Sequence, residues 1–400
     1  MKIHRNIIDQ ISSSFIQIVT EGRYADKVIQ NAFQNNKKWG ARDRKIFAES
    51  LYDMVRHKVF IKYCGNLDEP LQNPEAEKYF FIYYFLFKEE ILPGYTFDSE
   101  TVNRRKKEAE SIREILYSIP KWLDEYGVEQ LGEEKWSKEI KVLNQVAPVF
   151  LRTNTLKITP QNLITEMNNE GIICEKAGEY DESLALLYRK NVFQTESFNK
   201  GFFEVQDISS QKVSRVLDPQ PGMRVVDACA GAGGKSLHIA TLMQNRGRII
   251  AMDIEQSKLD ELKRRAKRNS IDIIETRLID SSKIIKRMNN SADMLLIDAP
   301  CSGSGVLKRN PDAKYKLTIK RIKELVEIQK RILNSYPQML KTNGILVYAT
   351  CSIFPEENEH QIQSLIENNP GKFELVNQIT IFPSEGEGDG FYIAKLRKLI

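Results

Sequence analysis

The chain has 400 residues, 41% of them hydrophobic and 28% charged, with a formal net charge of +5. That is an ordinary globular composition with room for two or three domains. Its mild positive balance permits a nucleic-acid partner without demanding one. The five cysteines form no Cys-x-x-Cys pair, which argues against a structural zinc site or a disulfide scaffold. The apolar stretch Tyr79 to Phe87 is far short of the ~18 residues a membrane span needs, and the N-terminus carries no signal-peptide core. A cytoplasmic protein with reduced thiols, no metal and no membrane partner is expected.

Residues 1–140 read as helical throughout. Phe47, Leu51 and Val55 follow one another at i, i+4 spacing behind Arg42-Asp43-Arg44-Lys45. Tyr79 to Phe87 is apolar on every side and predicts the central helix of a bundle. His57 reads as a surface or capping histidine rather than a ligand. Arg104-Arg105-Lys106-Lys107 reads as a solvated helix end.

Short strands and turns begin near Val146. A strand at Phe150–Leu156, a helix at Thr159–Asn169 and the segment Gly201–Asp207 suggest a small α+β module over 145–215, expected to be an RNA-recognition module. From 216 to 400 strands and helices alternate. Strands are predicted at 223–228, 248–253, 275–279, 292–298 and 344–350, and helices at 235–245, 256–269 and 316–340. This alternation predicts a Rossmann-like α/β domain, mostly parallel, closed by an antiparallel strand at Phe391–Lys398. Ligands in such folds bind at the carboxyl ends of the strands.

The first of those ends is Val225-Val226-Asp227-Ala228-Cys229-Ala230-Gly231-Ala232-Gly233-Gly234-Lys235-Ser236. Its small residues let backbone pass close to a ligand, and the next helix offers free N–H groups and its positive dipole end. A phosphate-binding P-loop would need a glycine where Cys229 stands, and the dinucleotide pattern also fits poorly. Asp253 ends the second strand about 20 residues on, where a ribose-binding carboxylate belongs. A single acid at a strand end is as readily a helix cap. Acids or thiols at five successive strand ends, including Asp280, Asp298 with Cys301, and Cys351, are not explained by capping.

Two thiols with no histidine near them in sequence argue against a Cys-His hydrolase. A cysteine beside a carboxylate suits attack on a pyrimidine. Thiolate addition to carbon 6 of cytosine breaks aromaticity and makes carbon 5 nucleophilic, while a carboxylate at nitrogen 3 stabilises or shares its proton. Free cysteine titrates near ~8.5, so the site must favour the thiolate.

At these residues the chain resembles the S-adenosylmethionine-dependent RNA (cytosine-5) methyltransferases, most of all the bacterial small-subunit ribosomal RNA enzymes. The Cys229–Lys235 loop, Asp298-Ala-Pro-Cys-Ser-Gly303, Arg309-Asn-Pro-Asp312 and Thr350-Cys-Ser352 match its motifs in order. Gly201–Gln211 and Asp389–Lys395 match as well, so the likeness runs from about Phe150 to the C-terminus. Asp43–Phe47 and Val55-Arg56 give the helical part a looser likeness to an antitermination-factor-like RNA-binding domain. One departure is Gly231-Ala232, where many members have Ala-Pro; it loosens the loop and removes no donor.

The resemblance implies roles. Cys351 is the nucleophile, and Cys301 helps remove the carbon 5 proton and release product. Asp298 contacts the base and lies near the cofactor. Cys229, Ala230, Gly231, Ala232, Gly233, Gly234 and Lys235 wrap the methionine end of S-adenosylmethionine. Asp253 takes the ribose, Asp280 the adenine, and Lys258 stands at a basic cofactor position. Lys308 and Arg309 flank the crevice and are expected at RNA phosphates, with Lys314 and Lys316 close behind. The basic face at Lys263–Arg268 reads as merely solvated.

The implied function is formation of 5-methylcytosine in RNA, expected to be small-subunit ribosomal RNA, by a monomer. Transfer RNA as substrate is one alternative. A non-catalytic RNA-binding ribosome assembly factor is another, disfavoured by two intact cysteines. An amino-group methyltransferase would carry an Asn/Asp-Pro-Pro-aromatic loop and no thiol.

Overall fold

An apolar residue at every position from Tyr79 to Tyr84 leaves no polar stripe, so a helix carrying that run has to be enclosed. In the computed structural model, which describes residues 3–400, it is the helix Asn73–Lys88, with Tyr79–Tyr84 and Leu86 buried. Phe15 of the helix Arg5–Val19 packs on Tyr79, ring centroids 5.2 Å apart. The Tyr83 hydroxyl donates to Asp53 of the helix Ala41–Arg56 at 3.0 Å. His57 joins that helix to the next, Lys58–Gly65, and stacks on Phe87 at 4.4 Å. Burial pushes its imidazole down to about 3, and no metal-binding cluster occurs among the described residues. Further helices, to Glu133–Leu143, complete an all-helical stretch.

This compact unit comprises Met1–Gln145 and also Leu307–Thr318. The inserted segment is folded into its interior. Lys314 is buried and donates to the carbonyls of Arg56 (2.7 Å) and Tyr117 (3.0 Å) and to Asn144 Oδ1 (3.0 Å). Burial and the nearby Arg56 push its ammonium well below the usual range. Lys316 pairs with Asp312 and lies 4.0 Å from the centre of the Tyr24 ring. The expectation that Lys308 meets a phosphate is corrected here. Its side chain is only 3% exposed, and a cation so enclosed is not presented to a backbone passing in solvent. Arg309 is half-buried.

The second unit, Val146–Val306 with Ile319–Ile400, holds two sheets. The first contains β1 (Phe150–Thr153), β2 (Cys174–Lys176), β3 (Ser183–Leu186) and β4 (Phe203–Val205), in the antiparallel order β2-β3-β1-β4. Its helix Pro160–Asn169 is capped by Thr159, whose hydroxyl accepts from Asn162 N. Leu151, Leu163, Met167, Leu184 and Phe203 form its core.

The larger sheet contains β5 (Arg224–Asp227), β6 (Arg248–Asp253), β7 (Ile274–Leu278), β8 (Ala292–Asp298), β9 (Leu340–Thr350), β10 (Phe373–Ile381) and β11 (Phe391–Lys398). Their order is β10-β11-β9-β8-β5-β6-β7, with β5 to β9 parallel and β11 antiparallel to both its neighbours, β9 and β10. Unbroken apolar runs are what strands covered on both faces require. Val226, Ile250, Leu295 and Tyr348 enter one core layer, and Val225, Ile249, Leu296 and Val347 the other. The five predicted parallel strands and the final antiparallel one are present.

β10 was not foreseen. It is an edge strand, exposed along most of its length, and its Glu374, Asn377 and Gln378 hide any apolar alternation. The long helix expected at 316–340 is Ile319–Ser335, followed by a tight turn at Tyr336–Met339 where Pro337 withholds its N–H.

Lys314→Met keeps the length of the side chain and removes all three donated bonds. It should destabilise the protein by about 1–3 kcal/mol, the cost of buried acceptors left unpaired. A urea midpoint equal to that of the unmodified protein would show that the bonds carry no net stability.

Candidate active site

Because β5, β6, β7, β8 and β9 run parallel, their carboxyl ends open on one edge of the sheet. The strand order reverses beside β5, between β6 and β8. That is the switch point where such sheets leave a crevice.

At β5 the chain turns through Cys229–Gly233 into the helix Gly234–Leu242. Gly233 takes φ 84°, and a Cβ there would lie 1.9 Å from Leu262 Cδ1. Only glycine fits. The first N–H groups of that helix have no acceptors within it. A Cβ built on Gly231 would meet no atom within 4 Å, so the loop borders open space.

Asp253, at the end of β6, accepts from Gly231 N at 2.8 Å and Glu255 N at 2.9 Å. Two bonds leave a carboxylate further lone pairs for hydroxyl donors. Lys258 pairs with Glu255 at 2.7 Å, and Asp280 is exposed beyond β7. Asp227 is fully buried. Ser236 donates to its Oδ2 at 2.6 Å, while Oδ1 has no partner. Burial pushes its carboxyl up to about 7, against the Ser236 bond and with help from Asp298. Burial and the surrounding acids also push the Cys229 thiol well up, so it stays protonated.

The two remaining thiols meet at the ends of β8 and β9. These strands pair with Asp298 opposite Ala349. Beyond the ladder, Ala299 N donates to Ala349 O at 2.8 Å and Gly305 N to Cys351 O at 2.9 Å. Gly305 in turn accepts from Gly390 N at 2.9 Å, and a Cβ on Gly305 would stand 2.3 Å from Gly390 O. So held, Cys301 Sγ and Cys351 Sγ lie 3.3 Å apart, both half-buried. The bond to Cys351, burial and Glu357 push the Cys301 thiol well above its ordinary range. Either sulfur can be the donor in their contact.

Lys235, from the first turn after the loop, forms an ion pair with Asp298 Oδ2 at 2.6 Å. Burial works against its ammonium, but Asp298 outweighs that, and the field of Cys351 adds in the same direction.

Sequence reasoning missed the support beneath the thiols. Glu357 is fully buried and accepts from Ser302 N at 2.7 Å and Gln329 Nε2 at 3.0 Å. Gln329 also donates to the Pro300 carbonyl at 2.9 Å. Ser304 and Ser352 hydroxyls lie 2.9 Å apart, and Asn358 donates to Ser352 O at 3.0 Å. The only sequence signal was Pro355-Glu356-Glu357-Asn358, separated by two residues from the Thr-Cys-Ser turn. Nothing in it points to Gln329, which arrives from a different helix.

A seven-stranded sheet in this order, with a glycine-rich turn after its first strand and acids along its carboxyl edge, defines a class I methyltransferase domain. A family model described as 16S rRNA methyltransferase RsmB/F matches residues 214–397. An RsmF/B-like ferredoxin-like domain matches residues 119–192, starting well before the expected module boundary.

Ribosomal RNA small subunit methyltransferase B of Pasteurella multocida is 35% identical over 297 residues, covering 70% of this chain and 65% of that protein. The probable enzyme of that name from Bacillus subtilis is 34% identical, with the same coverage. That of Klebsiella pneumoniae is 34% identical over 71% of this chain and 67% of its own length. The chain thus spans slightly under two thirds of the first two relatives.

Among solved structures, PH0851 superposes over 100% of both chains, with TM-score 0.81 and 25% identity. A methyltransferase homolog protein from Pyrococcus horikoshii matches with TM-score 0.63 and 30% identity, over 72% of this chain and 98% of that one. The chain belongs to the 16S rRNA methyltransferase RsmB/F family.

Asp227 supplies a pH test of the site. Folded, it holds its proton up to about pH 7, whereas an unfolded aspartate loses it near ~3.9. Between those values the folded state binds more protons, so this group's contribution makes stability fall as pH rises. Asp227→Asn should flatten that part of the stability profile from pH 4 to 7. An unchanged slope in urea titrations would show that the carboxyl is not held neutral.

Proposed function

We propose that the protein is an S-adenosylmethionine-dependent RNA methyltransferase that forms 5-methylcytosine, with small-subunit ribosomal RNA as its substrate. The observation that carries this reading is the pair of sulfur atoms 3.3 Å apart, beside the Lys235–Asp298 ion pair, at the mouth of the crevice. Amino-group methylation needs no thiol, and a non-catalytic assembly factor needs no such pair. The family membership supports ribosomal RNA over transfer RNA. It also fits a cytoplasmic protein, here read as a monomer. No helix among the described residues is long and apolar enough to cross a membrane.

The residues along the crevice fit the cofactor. The space bordering Gly231 gives it room, and the Asp227 carboxyl with its unpartnered Oδ1 lines the floor beneath the loop. Cys229–Lys235 would hold the methionine end, with Asp253 at the ribose and Asp280 at the adenine. When bound, S-adenosylmethionine supplies an electrophilic methyl group.

The chain's own residues do the rest. Cys351 attacks carbon 6 of the cytosine as the thiolate, the form in which sulfur is a nucleophile. Lys235 stabilises that charge, and Asp298 meets the ring at nitrogen 3 as carbon 5 becomes electron-rich. After methylation Cys301, once its own proton has passed to solvent, takes the carbon 5 proton as a base, and elimination breaks the sulfur–carbon 6 bond and returns the Cys351 thiolate. A Cys301 that stays protonated beforehand does not compete for the ring.

Two measurements test this. Cys351→Ala should form no covalent bond to RNA and lose activity. Cys301→Ala should transfer the methyl group yet release product slowly, leaving a protein–RNA adduct as a shifted band on a denaturing gel. If Cys351→Ala is the variant that traps RNA, the roles are reversed. Asp253→Ala should weaken S-adenosylmethionine binding by roughly 1–3 kcal/mol, the range for hydrogen bonds to a charged group. Unchanged affinity in calorimetry would remove Asp253 from the ribose.

A further inference from the structure

The four-stranded sheet has two faces, and only one is accounted for by its own core. Leu151, Leu184, Leu186 and Phe203 point into that core. Alternation sends Arg152, Ala185 and Glu204 to the other face. There Arg152 and Glu204 are buried; Arg152 donates to Gly234 O of the cofactor loop at 2.8 Å, and Glu204 pairs with Arg265 at 2.9 Å.

Toward β2 and β3 the same face is uncovered. Leu187 N donates to Ile173 O at 3.1 Å, continuing the ladder one step past Cys174 and Leu186, so both side chains stand on this face. Ile173 is 50% exposed and Leu187 47%. The chain then presents Tyr188, 72% exposed, Arg189, Lys190 and, a turn later, Phe193, 57% exposed. Lys190 donates to Gly171 O, which keeps this loop against the β2 end of the sheet. Neither Arg189 nor Lys190 forms an ion pair among the described residues. On this face Glu175 stands opposite Ala185.

We propose that this patch is a docking surface for a single-stranded segment of the RNA substrate, with unpaired bases stacking on Tyr188 and Phe193 and phosphates meeting Arg189 and Lys190. The inference rests on the RNA reading given above and adds where the strand lies. Exposed aromatic rings next to unneutralised cations match the two repeating parts of a nucleic-acid strand, a π-face and a phosphate. Both rings stand on the loop that follows β3, and Phe193 also packs edge-on against Phe198, ring centroids 5.2 Å apart. Duplex RNA hides its bases and gains nothing from the rings. A protein partner would cover the apolar residues but leave two cations unanswered. The face also runs on to Arg152, which touches the cofactor loop, so a strand laid along it heads toward the crevice.

The test uses the full-length protein and fluorescence anisotropy with a labelled 12-nucleotide single-stranded RNA of mixed sequence, and the same RNA annealed to its complement. Tyr188→Ala should lower affinity for the single strand by about five-fold or more, the lower end of what a stacked base contributes, while Tyr188→Phe retains it. Arg189→Ala with Lys190→Ala should make the plot of log affinity against log salt shallower by roughly 1.4 for two phosphates released.

Tyr188 is exposed enough that its loss should leave folding intact. Unchanged S-adenosylmethionine binding by Tyr188→Ala checks that. If the unmodified protein binds the strand and Tyr188→Ala binds it equally well, the patch assignment falls and the RNA reading stands. If the unmodified protein binds no RNA at all, both fall. Concentration-dependent dimers that Tyr188→Ala abolishes, with RNA affinity unaltered, would assign the patch to a second copy of the chain instead.

Discussion

The active crevice depends on one backbone arrangement, the joining of the loops that leave β8 and β9. Parallel strands diverge once their ladder ends, and side chains on the two exits would drift apart. Here the bonds from Ala299 N to Ala349 O and from Gly305 N to Cys351 O carry the pairing past the strand ends. The sulfur atoms come within 3.3 Å because their backbones are already tied. Gly305 can join this tie only because no Cβ stands between it and Gly390.

A reactive pair held so closely needs a floor that does not shift. Glu357, Gln329, Asn358 and the Ser302, Ser304 and Ser352 hydroxyls form it, linking a helix, a tight turn and both cysteine loops. Buried polar groups are costly when unpaired, and a network that satisfies them defines a single geometry. Asp253 plays a comparable part on the cofactor side, since the carboxylate suited to hydroxyls already shapes the loop through Gly231 N. Lys235 joins the two sides. It starts in the cofactor loop and ends on Asp298, beside the thiols.

Burial of Lys308 and Lys314 changes how the basic residues after Cys301 are understood. Taken in order along the chain, Lys308, Arg309, Lys314 and Lys316 look like a phosphate track. In the fold, Lys314 satisfies backbone carbonyls inside the helical unit and Lys316 answers Asp312. Charge density along a sequence does not distinguish a cation facing solvent from one enclosed with its own acceptors. Tyr188 and Phe193 show the converse for aromatic residues, standing exposed on the loop after β3.

The amino-acid sequence by itself determined the alternating α/β domain, the strand ends that carry Asp253, Asp298, Cys301 and Cys351, and the helical character of the first 140 residues. These follow from local physics: unbroken apolar runs, helical periodicity and small-residue turns each act within a few residues of one another. β10 stayed hidden because an exposed edge strand has no apolar pattern to show. How close the two thiols stand, what braces the cysteine loops, and which lysines face solvent were decided only by tertiary structure. Each depends on groups far apart in the chain, such as Gln329 with Glu357 or Lys314 with Asn144, whose distance and burial no local pattern encodes.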